Sequence, residues 1–380
     1  VLILLLACAD EPPAAPPLPY EQQTITEKML VRAFPSDRVK DREGWARDLY
    51  DVFAKDAIPA TIGNACAAVA ATEQESGYVA DPAVPGIGGM IDEWITEKQA
   101  TMGKLPAWAF GQTLRAVLDA KGPGQQRSYY DRLKAAHTER DVDVVFRAFL
   151  DDQRAKLPKA LQVAESAVEV VADPDDFNPI TTAGCMQVKV SFAEEHARTH
   201  RTEVSTVRDS LYTRDGCLHY GVVRLLDWEA GYDSPTFRFA DYNSGFYSSR
   251  NAAFQAQVAA VTGKTLALDG DLLRYEGGRP SSTPSQTLEA VLGAAQSLGL
   301  AEGRIRKDLA KEKDRDFEKT DTWTAVRAAY QKKTGKEPAY ARLPDVHLDS
   351  IKLSGDKTTA WFATSVKKRY DSCLARVKKG

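Results

Sequence analysis

The sequence predicts a predominantly α-helical protein with a few short strands, and three observations carry that prediction. Apolar residues recur near helical spacing in two long stretches, from Met29, Leu30 and Phe34 to Trp45, Leu49 and Phe53, and from Trp94 to Leu150. Glycines that stop helices follow periodic runs at Gly77 and Gly335. The chain of 380 residues is long enough for a large core with added subdomains.

The elements follow in order. Ile25 to Phe53 reads as one or two amphipathic helices. Pro59 precedes a helix running from Gly63 to Glu75, whose many alanines imply close packing against neighbours. Pro82, Pro85 and the run Gly86-Ile87-Gly88-Gly89 predict a loop. From about Met90 to Val171 the pattern is mostly helical, and the Asp- and Pro-rich stretch Asp173 to Pro179 breaks it. Gly184 to His200 opens with Gly-Cys-Met-Gln and continues as a helical or mixed segment. Cys217 to Trp228 reads as a buried helix, and Phe237 to Val261 as another, interrupted near Asn243-Ser244-Gly245. Ser281 to Ser285 is the clearest internal linker, with helices beyond it at about 285–298, 321–334 and 357–376. No fixed-period repeat is present.

The N-terminus points to export. Val1 to Ala7 is a purely apolar run ending at Cys8, too short to span a bilayer. It reads as the end of a secretion signal whose charged start precedes Val1. Leu5-Leu6-Ala7-Cys8 resembles a bacterial lipobox, in which the cysteine becomes the lipidated first residue. The Pro-rich stretch from Glu11 to Pro19 then reads as an extended tether. A periplasmic chain held to a membrane through Cys8 is the expectation, and which membrane stays open.

The formal net charge of −3 gives no global field that favours nucleic acid. Lys367-Lys368-Arg369 and Lys378-Lys379 read as a solvated helix face and tail. Cys66, Cys185, Cys217 and Cys373 allow one or two disulfides in an oxidising compartment, in any of three full pairings. Cys66 and Cys185 also suit the role of small buried apolar residues. No Cys-x-x-Cys spacing suggests zinc or redox chemistry. His196 and His200, four apart on a predicted helix, lack the glutamate of a zinc-protease motif and read as a solvated face. The Gly86 to Gly89 run lacks nucleotide-loop spacing, and no Gly-x-Ser-x-Gly elbow occurs. No metal and no cofactor is expected.

Three short stretches carry the chemistry: Glu75-Ser76, Gly184-Cys185-Met186-Gln187 and Tyr242-Asn243-Ser244-Gly245. Glu73 and Glu75 are two apart on a helix, roughly 200° apart in direction, so only one can face a cleft. Glu75 lies at the helix C-terminal end, where the macrodipole disfavours negative charge, and partial burial would favour the protonated carboxyl further. A protonated carboxyl is what a general acid acting on a glycosidic oxygen requires.

Ala71-Thr72-Glu73-Gln74-Glu75-Ser76-Gly77-Tyr78 resembles the glutamate-serine motif of the soluble lytic transglycosylase family. Gly184-Cys185-Met186-Gln187-Val188 resembles that family's Gly-Leu-Met-Gln motif, with Cys185 in place of leucine. Ala240-Asp241-Tyr242-Asn243-Ser244-Gly245 resembles its Ala-Tyr-Asn-x-Gly motif, with Asp241 inserted. All three stand in the family's order and cover about 60–85 and 180–260. The whole is most similar to a group of poorly characterised bacterial lipoproteins in the lysozyme-like superfamily.

The resemblance implies a lysozyme-like (α+β) catalytic core at 21–282, after a leader and tether at 1–20. A helical insertion at about 85–175 separates the first two motifs, which are normally close. It would cap the cleft, restrict the substrate or dock a cell-wall partner, and large insertions cost little if their ends stay close. A C-terminal helical subdomain at 283–380 completes the expectation.

By the same resemblance, Glu75 protonates the oxygen between N-acetylmuramic acid and N-acetylglucosamine, then takes a proton from the sugar's 6-hydroxyl. The 1,6-anhydro product needs no second carboxylate, unlike ordinary glycosidases. Ser76 would orient Glu75, and Gln187 would hydrogen-bond Glu75 or an acetamido group. Tyr242 and Asn243 would line the cationic transition state, with Met186 and Gly245 completing the substrate site. Phe246, Tyr247, Arg250 and Asn251 could extend the groove, core packing being the stronger reading for Phe246. Two alternatives stay open. One is a hydrolytic muramidase using Asp92, Asp176 or Asp241 to activate water. The other is a non-catalytic wall-binding lipoprotein.

Overall fold

The computed structural model describes residues 18–102, 114–156, 178–276, 279–348 and 357–379. Its first helices are set by their caps. Thr26, Asp41 and Thr61 each accept a hydrogen bond from a backbone N–H three residues on, opening α1 (Glu27–Ala33), α2 (Arg42–Lys55) and α3 (Ile62–Ser76). Helix α3 ends at Gly77, which takes the left-handed conformation at φ 60°. From Ala65 to Thr72 every α3 residue is buried. Small side chains on all faces let neighbouring helices approach α3 closely, as its alanine content predicts.

The insertion follows as α4 (Ile87–Met102), α5 (Leu114–Leu118), α6 (Tyr129–Lys134) and α7 (Glu139–Lys156). The Gly86 to Gly89 run is not wholly a loop, because α4 begins at Ile87. A Cβ on Gly88 would stand 2.7 Å from the Lys134 carbonyl oxygen, so the glycine serves a close approach to the end of α6. Ile87, Ile91, Leu133, Val142, Phe146 and Phe149 join the same core as α3. The insertion is thus packed onto the body that carries Glu75. Its later part, 157–177, lies outside the described residues, as do Cys8 and the tether up to residue 17.

A two-residue ladder comes next, with β1 (Thr182–Ala183) antiparallel to β2 (Val188–Lys189). The Gly184-Cys185-Met186-Gln187 stretch is the turn of this hairpin. Gly184 sits at φ 80°, where a Cβ would also collide with the Leu211 carbonyl. Helices α8 (Val190–Thr199), α9 (Val207–Ser210), α10 (Arg214–Leu226), α11 (Pro235–Ser244) and α12 (Ser248–Thr262) follow. Gly245 at φ 116° separates α11 from α12 where the sequence predicts an interruption.

The remaining elements are β3 (Tyr275–Glu276), β4 (Arg279–Pro280), α13 (Gln286–Gly293), α14 (Ala295–Leu298), α15 (Glu302–Leu309), α16 (Asp321–Thr334) and α17 (Thr359–Lys378). They do not pack as one C-terminal subdomain. Val291, Ile305, Phe317 and Trp323 join Phe254 and Val258 of α12 in a second core. Helix α17 instead returns to the first core through Phe362, Val366 and Tyr370, lying along α3 and α11.

Two disulfides, Cys66–Cys373 and Cys185–Cys217, resolve the pairing. Cys66 and Cys185 are therefore bonded rather than free apolar packing residues. Among the described residues no helix is long and apolar enough to cross a membrane.

Candidate active site

The two glutamates at the end of α3 part company. Glu73 accepts hydrogen bonds from Arg38 at 2.6 Å and from the Tyr78 hydroxyl at 3.0 Å, and its side chain is only 9% exposed. Glu75, two residues on, borders a cleft on another face of the helix. Ser76 does not serve Glu75. Its hydroxyl donates to the Thr72 carbonyl and accepts from the Val79 N–H, closing the helix end.

The cleft encloses about 550 Å³. Glu75, Gln187, Tyr242, Asn243 and Gly245, from three distant parts of the sequence, all line it. The Tyr242 hydroxyl donates to the Met186 carbonyl at 2.6 Å, tying the third stretch to the second. Burial raises the Tyr242 hydroxyl far above its ordinary range, and the nearby Glu75 carboxylate pushes the same way. Met186 contributes this carbonyl rather than a substrate contact. Its side chain is fully buried against α10, where a Cβ on Gly221 would strike it. Asn243 accepts from the Thr359 hydroxyl at 3.0 Å, so α17 steadies that wall. Tyr242→Phe should cost about 1 kcal/mol of stability through the lost hydrogen bond. A lower urea midpoint at constant slope would report that loss.

Gln187 departs from expectation. It sits at φ 50°, uncommon for a non-glycine residue. Its Oε1 accepts from the Thr182 hydroxyl at 3.1 Å, and its Nε2 donates to the Glu139 carboxylate at 2.9 Å. Glu139 is 1% exposed and is the first residue of α7, where the helix dipole favours a negative charge. The insertion thereby brings a second carboxylate to the same cleft as Glu75.

Lys189, Arg224, His347 and Trp361 also line the cleft and were not legible as site residues. Arg224 is held with its guanidinium carbon 3.8 Å from the Phe246 ring centre, and Nη2 donates to the Asp241 carbonyl at 2.9 Å. Burial pulls its pKa down to about 10.

Of the three aspartates offered as water activators, the two that the structure describes do not line the cleft. Asp92 binds Tyr130 and Lys134 away from it. Asp241 is buried, bonded to Tyr232, Ser248 and Ser249, and burial raises its pKa. Asp176 lies outside the described residues. Tyr247, Arg250 and Asn251 do not extend the groove either. All three are buried, and Arg250 and Asn251 both donate to the Glu312 carbonyl. Phe246 packs on Trp228 and Phe192. His196 and His200 stack with ring centres 4.0 Å apart. Among the described residues no group of three or more His, Cys, Asp or Glu is arranged to hold a metal ion.

The sequence profile described as protein of unknown function DUF1615 matches residues 38–376, a span running from before α2 to the last turns of α17. The chain belongs to the DUF1615 family. The match takes in all three cleft-forming stretches and the insertion that supplies Glu139, so the DUF1615 chain includes the whole cleft. A relative from Escherichia coli (strain K12), the uncharacterized protein YaiW, is 35% identical over 374 residues. That alignment covers 98% of this chain and 96% of the relative. No solved structure matches.

Proposed function

We propose that this chain cleaves peptidoglycan glycan strands as a lytic transglycosylase of lysozyme-like architecture. One observation carries the reading: Glu75, Gln187, Tyr242, Asn243 and Gly245, five of the seven site residues expected from the sequence, border one cleft. Glu75 is the acid. It gives its proton to the glycosidic oxygen as the bond to the muramyl C1 breaks. The resulting carboxylate takes the proton of the same sugar's 6-hydroxyl, whose oxygen bonds to C1. One bond breaks, one forms, and Glu75 recovers its proton, so no water is consumed. Tyr242, locked on the Met186 carbonyl, presents its ring beside the developing positive charge. Trp361 also lines the cleft, where an aromatic ring can pack against a sugar.

Two disulfides favour an oxidising compartment, which agrees with export and with a periplasmic, membrane-tethered chain anchored at Cys8. The insertion walls the cleft through Pro85 and Glu139, which supports substrate restriction as one of its roles.

Glu139 favours a second reading, hydrolysis, because a second carboxylate across a cleft is what water activation uses. The two readings differ in product. Purified sacculi digested by the protein should yield anhydro-ended muropeptides by mass spectrometry, lost in Glu75→Gln and still formed by Glu139→Gln. Hydrated ends that disappear in Glu139→Gln would replace transglycosylation with hydrolysis. A folded protein that yields no products and still pellets with sacculi would make it a wall-binding protein.

A further inference from the structure

Arg224 stands out as a cleft-lining cation with no ion pair among the described residues, since the Asp241 carboxyl that acts on it through space is already bonded to Tyr232, Ser248 and Ser249. Its Nη2 has the Asp241 carbonyl as acceptor, whereas Nη1 is buried with no acceptor among the described residues. A buried guanidinium without a carboxylate partner is costly to hold, and the cation–π contacts with Phe246 and Tyr242 offset only part of that. The neighbouring charges do not supply the missing partner. Glu139 is engaged by Gln187, and Lys189, on the same cleft, adds a second cation. Desolvation and then the Arg224 charge itself lower the Lys189 pKa, so the two cations share one field. The cleft therefore combines an acid, Glu75, with a cationic wall whose guanidinium still has donors to spend.

We infer that Arg224 is the receptor for an anionic group on the glycan, and that the group is the lactyl carboxylate of a peptide-free muramyl residue. The inference rests on the glycan-cleaving reading and adds a substrate preference to it. A planar guanidinium pairs with a carboxylate through two parallel hydrogen bonds, whereas a muramyl residue carrying a stem peptide presents a neutral amide at the same atom. Lys189 adds attraction toward the same charge. Strands from which stem peptides have been removed are then the preferred substrate.

The test uses the full chain and peptide-free glycan strands, compared with the same strands after chemical reduction of their muramyl carboxylates to alcohols. Wild type should cleave the carboxylate strands with kcat/KM roughly 10- to 100-fold above the reduced ones, the span of a lost charge-assisted hydrogen bond. Arg224→Met should erase that ratio by slowing cleavage of the carboxylate strands alone, and Arg224→Lys should restore part of it. Equal rates on both strands in wild type would overturn the inference and leave strand cleavage standing. So would an Arg224→Met variant that folds and slows both substrates alike, since that is the behaviour of a wall prop. Failure of wild type to cleave either strand would remove the glycan-cleaving reading and this inference together.

Discussion

Glu75→Gln is expected to lower glycan cleavage by roughly 10³- to 10⁴-fold and to leave the unfolding transition in place. The magnitude is the upper part of what general acid–base catalysis contributes, because one residue serves both proton transfers. Glutamine keeps the size and shape of the side chain and loses only the transferable proton. Glu73→Gln is the internal control, since it changes the same chemistry two residues away. Glu73 is bonded to Arg38 and Tyr78 and borders a different cavity from Glu75, so its loss should be felt in stability. With Arg38 56% exposed, that cost is about 1–2 kcal/mol rather than the full value of a buried pair. Cleavage should persist in Glu73→Gln. Measured side by side on sacculi and by thermal unfolding, the two variants should show opposite profiles. Equal residual cleavage in both would sink the assignment of Glu75.

The direction of Glu75 was legible because helix geometry is local. Two residues apart on a helix point to different sides, and Gly77 fixes where the helix ends. The hairpin turn was less legible. Gly-Cys-Met-Gln resembles a substrate-site motif, but Met186 faces the core and supplies only a carbonyl, which side-chain identity does not reveal. Glu139 was missed for a different reason. Nothing in its local sequence separates it from the many surface glutamates of charged helices. Only the packing of Val142, Phe146 and Phe149 into the first core places the start of α7 at the cleft. Arg224 was hidden inside an apolar helix, where a lone arginine gives no sign of the cavity beside it. Helix α15 was overlooked because Ala301 ahead of it makes no side-chain cap and its own residues are mostly charged. The division into subdomains failed at α17 because sequence order suggests a C-terminal unit, whereas a cysteine bridge and an apolar stripe send the last helix back to α3.

That return carries the second large expectation. Removing the Cys66–Cys373 bridge, as Cys66→Ser with Cys373→Ser, should lower stability by on the order of 4 kcal/mol and the melting temperature by about 5 °C. The bridge joins residues 307 apart in sequence, so in the chain-entropy account it restricts the unfolded ensemble far more than Cys185–Cys217, which joins residues 32 apart. The helix should nevertheless stay docked at 25 °C. Phe362, Val366, Tyr370 and Val377 are all buried, at about 1.5–3 kcal/mol for each large apolar side chain, which together exceeds the contribution of the bridge. Trp361 and Phe362 of the same helix line the cleft, and Thr359 holds Asn243. Cleavage should therefore survive at 25 °C and fail at a lower temperature than in the bridged protein, in step with unfolding followed by circular dichroism. A melting temperature within about 2 °C of wild type would mean that packing alone holds α17 to α3. Loss of cleavage at 25 °C with the helical signal intact would mean that the bridge sets the position of the cleft wall as well as its durability.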